Sequence, residues 1–147
     1  MKNSNKIVFL VALVLVFVQS CTGSKEIVLN ESPDVEVIAP TWTEIMPGQE
    51  DGQKTIVVFL PVANEKEKYA VDSIYFLGYH QALTYKTKTS AGGGYQAIIV
   101  VGKDNNSVEP PYELTSNQAL VSYLDAKKVR HYFRVSDIKK AESIFMP

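Results

Sequence analysis

The chain has 147 residues, with 15 Lys and Arg against 16 Asp and Glu, a formal net charge of −1 and one cysteine. That balance excludes the basic footprint of a nucleic-acid-binding domain, and one thiol excludes an internal disulfide framework or a multi-cysteine zinc site. Charge is uneven along the chain, however. Glu26 to Asp51 carries seven carboxylates and no Lys or Arg, whereas Lys127 to Lys140 carries six basic residues and one carboxylate, Asp137. The expectation is that strands bearing these charges lie side by side and neutralise each other; the alternative is a basic binding patch.

The chain begins with Lys2 and Lys6 among small polar residues and then runs from Ile7 to Val18 without a polar side chain. Twelve residues span about 18 Å as a helix, against a hydrocarbon core of about 30 Å, too short to cross a membrane stably. A charged start, a short apolar run and a small residue, Ser20, before Cys21 describe a secretory signal. Val18-Gln19-Ser20-Cys21 resembles the lipobox of bacterial lipoprotein precursors. The resemblance implies cleavage before Cys21, a diacylglycerol on its sulfur and acylation of the new amino group, with palmitate among the chains. It accounts for an odd cysteine in an exported protein. It also supplies more than one acyl chain, as stable anchoring requires. Thr22 stands where an Asp favours inner-membrane retention in well-studied lipoproteins, which implies the outer membrane of a Gram-negative envelope. Residues 1–20 are then signal peptide, 21–34 a lipidated tether and 35–147 the folded domain. Without Lys2 and Lys6, 13 basic residues face 16 acidic ones. The remainder, roughly 126 residues, is the size of one domain and can bury a core without disulfides.

Downstream the periodicity is mostly two. Val35 to Ala39 alternates until Pro40, and Thr41 to Met46 alternates again with Trp42, Glu44 and Met46 on one side. Pro47 to Gln53 is dense in turn formers. Thr55 to Ala63 is a near-continuous apolar, β-branched run that reads as a strand covered on both faces, with Pro61 at a bulge or where a neighbour is lost. Asn64 to Ala70 is a charged connection with room for one helical turn. Ser73 to Thr89 makes a poor helical stripe but reads well as strand, with Tyr75, Leu77, Tyr79, Leu83 and Tyr85 on one parity and a bend or hairpin near Gly78 to Gln81. Ser90 to Gly94 predicts a turn, Tyr95 to Gly102 a buried strand, and Lys103 to Asn117 the longest loop. Ala119 to Val135 predicts a hairpin around Asp125 to Lys128, with Val129, His131, Phe133 and Val135 on one face and Arg130, Tyr132 and Arg134 on the other. Ile144 to Met146 can pair at an edge. Seven or eight short strands without a long helix predict an all-β, antiparallel sandwich, immunoglobulin-like in architecture, with a small barrel as the alternative. The run from Asp72 to the terminal hairpin is similar to small uncharacterised bacterial lipoproteins.

Catalytic signals are sparse. Asp72, Ser73 and His80 hold the residue types of a hydrolase triad, but no G-x-S-x-G elbow accompanies them. His131 reads as a packed histidine with one hydrogen bond. Gly92-Gly93-Gly94 lacks the Lys and Ser/Thr of a phosphate loop. No His/carboxylate spacing matches a zinc or calcium site. Asp72-Ser73-Ile74 resembles a three-residue acceptor for O-glycosylation in some Gram-negative bacteria, a pattern that also recurs by chance. The expectation is a non-enzymatic envelope lipoprotein without cofactor, anchored through Cys21, whose β-domain is an interaction or structural accessory. The alternative is a glycan- or peptide-binding module that uses Trp42 and exposed tyrosines.

Overall fold

The computed structural model describes residue 29 and residues 35–49, 52–63, 70–89, 92–102 and 107–146. Among them are β1 (Thr41–Met46), β2 (Thr55–Pro61), β3 (Ala70–Phe76), β4 (Tyr79–Ala82), β5 (Thr84–Thr89), β6 (Gly92–Val100), β7 (Ala119–Leu124), β8 (Arg130–Val135), β9 (Lys139–Lys140) and β10 (Ile144–Phe145). They form two sheets packed as a sandwich, with no helix and no closed barrel among the described residues. The larger sheet runs β10-β1-β2-β6-β5 with β9 also on β1, and the smaller runs β4-β3-β7-β8. Neighbours are antiparallel except β9 and β10, which lie parallel along the free edge of β1.

The core follows from alternation. Ile56, Val58 and Leu60 of β2 and Tyr95, Ala97 and Ile99 of β6 face Ile74 and Phe76 of β3, Val121 and Tyr123 of β7, and Phe133 and Val135 of β8. Gly94 is required by close approach: a Cβ there would lie 2.6 Å from the Leu60 carbonyl oxygen. The hairpin predicted over Ala119 to Val135 is β7–β8, with Phe133 4% exposed and Arg130 and Arg134 in solvent. The acidic and basic stretches do meet: β9 lies beside β1, and Lys140 Nζ is 2.8 Å from Glu44 Oε2.

Several expectations are corrected. Among the described residues β2 is covered on one face only; Val57 and Phe59 are half-buried on the other, and Ile98 beside them in β6 is 51% exposed. No third layer covers that face among the described residues, so the apolar run reflects an open face rather than a sandwiched strand. Val35 to Ala39 is no regular strand but a bridge, Val37 to Val62, broken where Ala39 takes φ +45° before Pro40. Ser73 to Thr89 holds parts of three strands. Leu77 (φ +50°) and Gly78 (φ +79°) form a two-residue turn between β3 and β4, and Leu83 separates β4 from β5 in the other sheet. The turn resets the register, so Tyr75 lies on the outer face while Tyr79 packs toward the core. Gly92 to Gly94 opens β6 rather than forming a turn. The connection over 64–69 lies outside the described residues.

Candidate functional site

Polar side chains converge on the outer face of the small sheet. A bulge in β3 inserts Asp72 between Val71 and Ser73, and its carbonyl accepts a hydrogen bond from Leu83 N–H at 2.9 Å. Beyond the bulge Ser73 stands opposite Ser122 of β7 and Ala82 of β4, and Tyr75 stands opposite His80 and Leu120. Ser73 is 6% exposed and Ser122 fully buried. Their hydroxyls are 2.7 Å apart, His80 Nε2 is 2.9 Å from Ser73 Oγ, and Ser122 Oγ donates to Asp72 Oδ2 at 3.3 Å. Arg130 closes the line with a 2.8 Å ion pair to the same carboxylate oxygen. Tyr75 stacks on the His80 ring at 4.3 Å. Burial pushes the His80 imidazole below its ordinary range, against the pull of Asp72 and with the repulsion of Arg130. Burial likewise raises the Tyr75 phenol, helped by Tyr132 nearby.

The carboxylate sets the direction of every proton in this line. Asp72 only accepts, so the Ser122 proton points to it. Ser122 therefore accepts from Ser73, and Ser73 accepts from His80 Nε2–H. This polarity is the reverse of a triad, in which the serine donates to a neutral imidazole and the acid orients the other ring nitrogen. The Ser73 backbone is also paired on both sides, to Ala82 and Ser122, in place of the exposed elbow and convergent N–H donors that acyl transfer uses. Chemically the arrangement holds buried hydroxyls satisfied and locks β3, β4, β7 and β8 together. Residue types in the sequence marked Asp72, Ser73 and His80; Ser122 and Arg130 gave no signal, because only strand pairing brings them there.

The other singled-out residues scatter. His131 stacks on Tyr123 at 5.3 Å and lies 3.1 Å from Asp125 Oδ2, a packed histidine with a polar contact. Trp42 is half-buried, edge-on to Phe76 at 5.7 Å, with Lys140 Nζ 4.8 Å above its ring. Glu44 is held between Lys140 and Lys54, which lower its carboxyl pKa. Tyr85 meets Tyr95 edge-on at 5.2 Å. Tyr112 lies in the loop 107–118 beside a cavity of about 360 Å³, its hydroxyl buried without a hydrogen-bond partner among the described residues. These aromatics are distributed between the sheets, over the outer face of the small sheet and in a loop. Ser73, the would-be glycan acceptor, is buried in a central strand pair and offers no free hydroxyl in the folded domain. Among the described residues no group of three His, Cys, Asp or Glu could hold a metal ion. Cys21 lies outside them. No known protein family and no curated protein matches the sequence.

Proposed function

We propose that the chain is a lipid-anchored, non-enzymatic envelope lipoprotein whose β-sandwich serves as an interaction accessory at a membrane surface, the outer membrane of a Gram-negative cell. The observation that carries this reading is the apolar run Ile7–Val18 closing on Val18-Gln19-Ser20-Cys21. Two features of the fold support the remainder. The reversed polarity of the Ser73–His80 line argues against nucleophilic catalysis. The outer face of the large sheet, with Val57, Phe59, Ile98 and Val100 neighbouring in register, presents apolar surface that a protein partner would cover. Among the described residues, Trp42 packs edge-on to Phe76 between the sheets, Tyr85 and Tyr95 pair on the large sheet and Tyr75 stacks on His80 on the outer face of the small one, which favours the accessory reading over a glycan site built on Trp42 and the tyrosines together.

The test is Cys21→Ser in cells fed a palmitate analogue. The parent chain takes up label and fractionates with the outer membrane; the variant takes up none and leaves the membrane or stays as uncut precursor. A variant that is processed normally and fractionates with membranes refutes the anchor.

A further inference from the structure

Six basic residues stand between Lys127 and Lys140, and the fold divides them. Lys140 is paired with Glu44 and Arg130 with Asp72. Lys127, Lys128, Arg134 and Lys139 have no ion pair among the described residues. Two of these, Lys127 and Lys128, are adjacent at the tip of the β7–β8 hairpin, where Ala126 to Arg130 are all exposed. The carboxylate of the tip is bound into the turn. Asp125 Oδ1 accepts from the N–H groups of Lys127 at 2.8 Å and Val129 at 2.9 Å, and Oδ2 lies 3.1 Å from His131 Nε2. The Val129 N–H and His131, with the Lys127 N–H, hold that carboxyl below its usual range. Asp125 therefore closes the turn and leaves the two lysines unpaired. Val129, between Lys128 and Arg130, is apolar and 51% exposed. Lys128 takes φ +62°, where glycine would sit without strain. A lysine held in such a conformation points to a use for its side chain.

We propose that the tip from Ala126 to Val129 docks on the anionic headgroups of a phospholipid bilayer, with Lys127 and Lys128 on the phosphates and Val129 among the headgroups. The proposal rests on the lipid-anchor reading above, which holds the domain at a bilayer. A basic patch is the second signal that strengthens such an anchor, and each lysine near an anionic surface strengthens the contact about fivefold. An acidic protein would answer the same charge. The exposed valine between cations decides for lipid: at the headgroup boundary an apolar group is buried while long cationic side chains reach back to phosphate. The contact uses no residue of the large sheet's outer face, so Val57 and Ile98 stay open to a protein partner.

The test places an environment-sensitive fluorescent amino acid in place of Val129, or of Ile98, in the full processed chain. The chain is held on vesicles of phosphatidylglycerol or of phosphatidylcholine alone. Emission from position 129 should shift to the blue on phosphatidylglycerol and not on phosphatidylcholine. Lys127→Gln with Lys128→Gln should abolish the shift, and so should about 1 M salt, which cuts the screening length to about 3 Å. Emission from position 98 should stay unshifted on both. A shift equal on the two lipids, a shift that survives the double substitution, or a shift at position 98 in place of 129 overturns the proposal. No shift on phosphatidylglycerol, but one on adding polyglutamate, assigns the tip to an acidic protein and overturns it too. The mass of the same chain reports the acyl groups separately. A charge-dependent shift in a chain whose Cys21 carries no lipid sinks the anchor alone; an acylated chain without the shift sinks the docking alone.

Discussion

Ser122 has no exposed surface and sits between a second hydroxyl and a carboxylate, so deleting its Oγ removes more than one hydrogen bond. It leaves the Ser73 proton without an acceptor in a buried site, at a cost of about 1–3 kcal/mol. Ser73→Ala and Ser122→Ala should each destabilise by that amount, and the double variant by clearly less than their sum, because the second deletion strands nothing new. Urea midpoints of the four proteins check this; strict additivity would mean that the hydroxyls do not form one line. His80 adds a pH signature. Its folded-state pKa is lowered by burial, so below about pH 6.5 the unfolded chain binds more protons and stability falls with pH. The loss begins as pH falls through the ordinary imidazole range and is complete below the lowered value. Glu44, held low by Lys140 and Lys54, and Asp125, held low by the Val129 N–H and His131, act in a separate, more acidic window. Their contribution is present above the ordinary carboxylate range and disappears as pH falls through their lowered values. Unfolding between pH 7 and 5 should therefore show a decline that His80→Gln flattens. The sequence disclosed the residue types at this site but not its polarity. That depends on a bulge at Asp72 and on Ser122, 49 positions beyond Ser73 in another strand.

The elements were legible where one face is apolar and the turn chemistry is ordinary. The β7–β8 hairpin is such a case, and its faces make a sharp prediction. Phe133→Ala should cost about 3–5 kcal/mol and Arg134→Ala no more than about 0.5. Equal small effects on urea unfolding would contradict the assignment of the faces. Its turn carries a defect: Lys128 takes φ +62°, a left-handed conformation that glycine adopts without strain. Lys128→Gly should raise stability by up to about 1 kcal/mol, whereas Lys128→Val should lower it, measured by the same unfolding. A left-handed residue of this kind also shifted the β3–β4 turn, which was expected near Gly78 to Gln81 and lies at Leu77 and Gly78. Two-residue hairpins of this geometry favour Asn-Gly, and here Leu77 precedes Gly78, giving half the usual signal. Pairing with remote partners explains the other misses: β9 is two lysines and becomes a strand only because β1 offers an unpaired edge.

At the scale of the molecule, the sandwich was legible from strand count and period, but its unequal coverage was not. A continuous run such as Thr55 to Ala63 looks the same whether a third layer covers it or an open face awaits one. Ile98 lies near the centre of that open face. Ile98→Asp should leave folding within about 0.5 kcal/mol of the parent, because the side chain is already half in water. A photoreactive side chain at the same position should cross-link to a second protein in intact envelopes, and no adduct there would remove the partner from the reading. The two chain ends have a mechanical consequence. β1 belongs to the beginning of the domain and β9 and β10 to its end, and they run parallel. Lys139 N–H is bonded to the Pro40 carbonyl, Ala141 N–H to that of Trp42 and Met146 N–H to that of Met46. A pull that draws the start of β1 and the end of β10 apart slides these strands lengthwise past one another. The three bonds and the Lys140–Glu44 contact then bear the load together rather than breaking in turn, so this seam resists a lengthwise pull better than one that peels the strands apart.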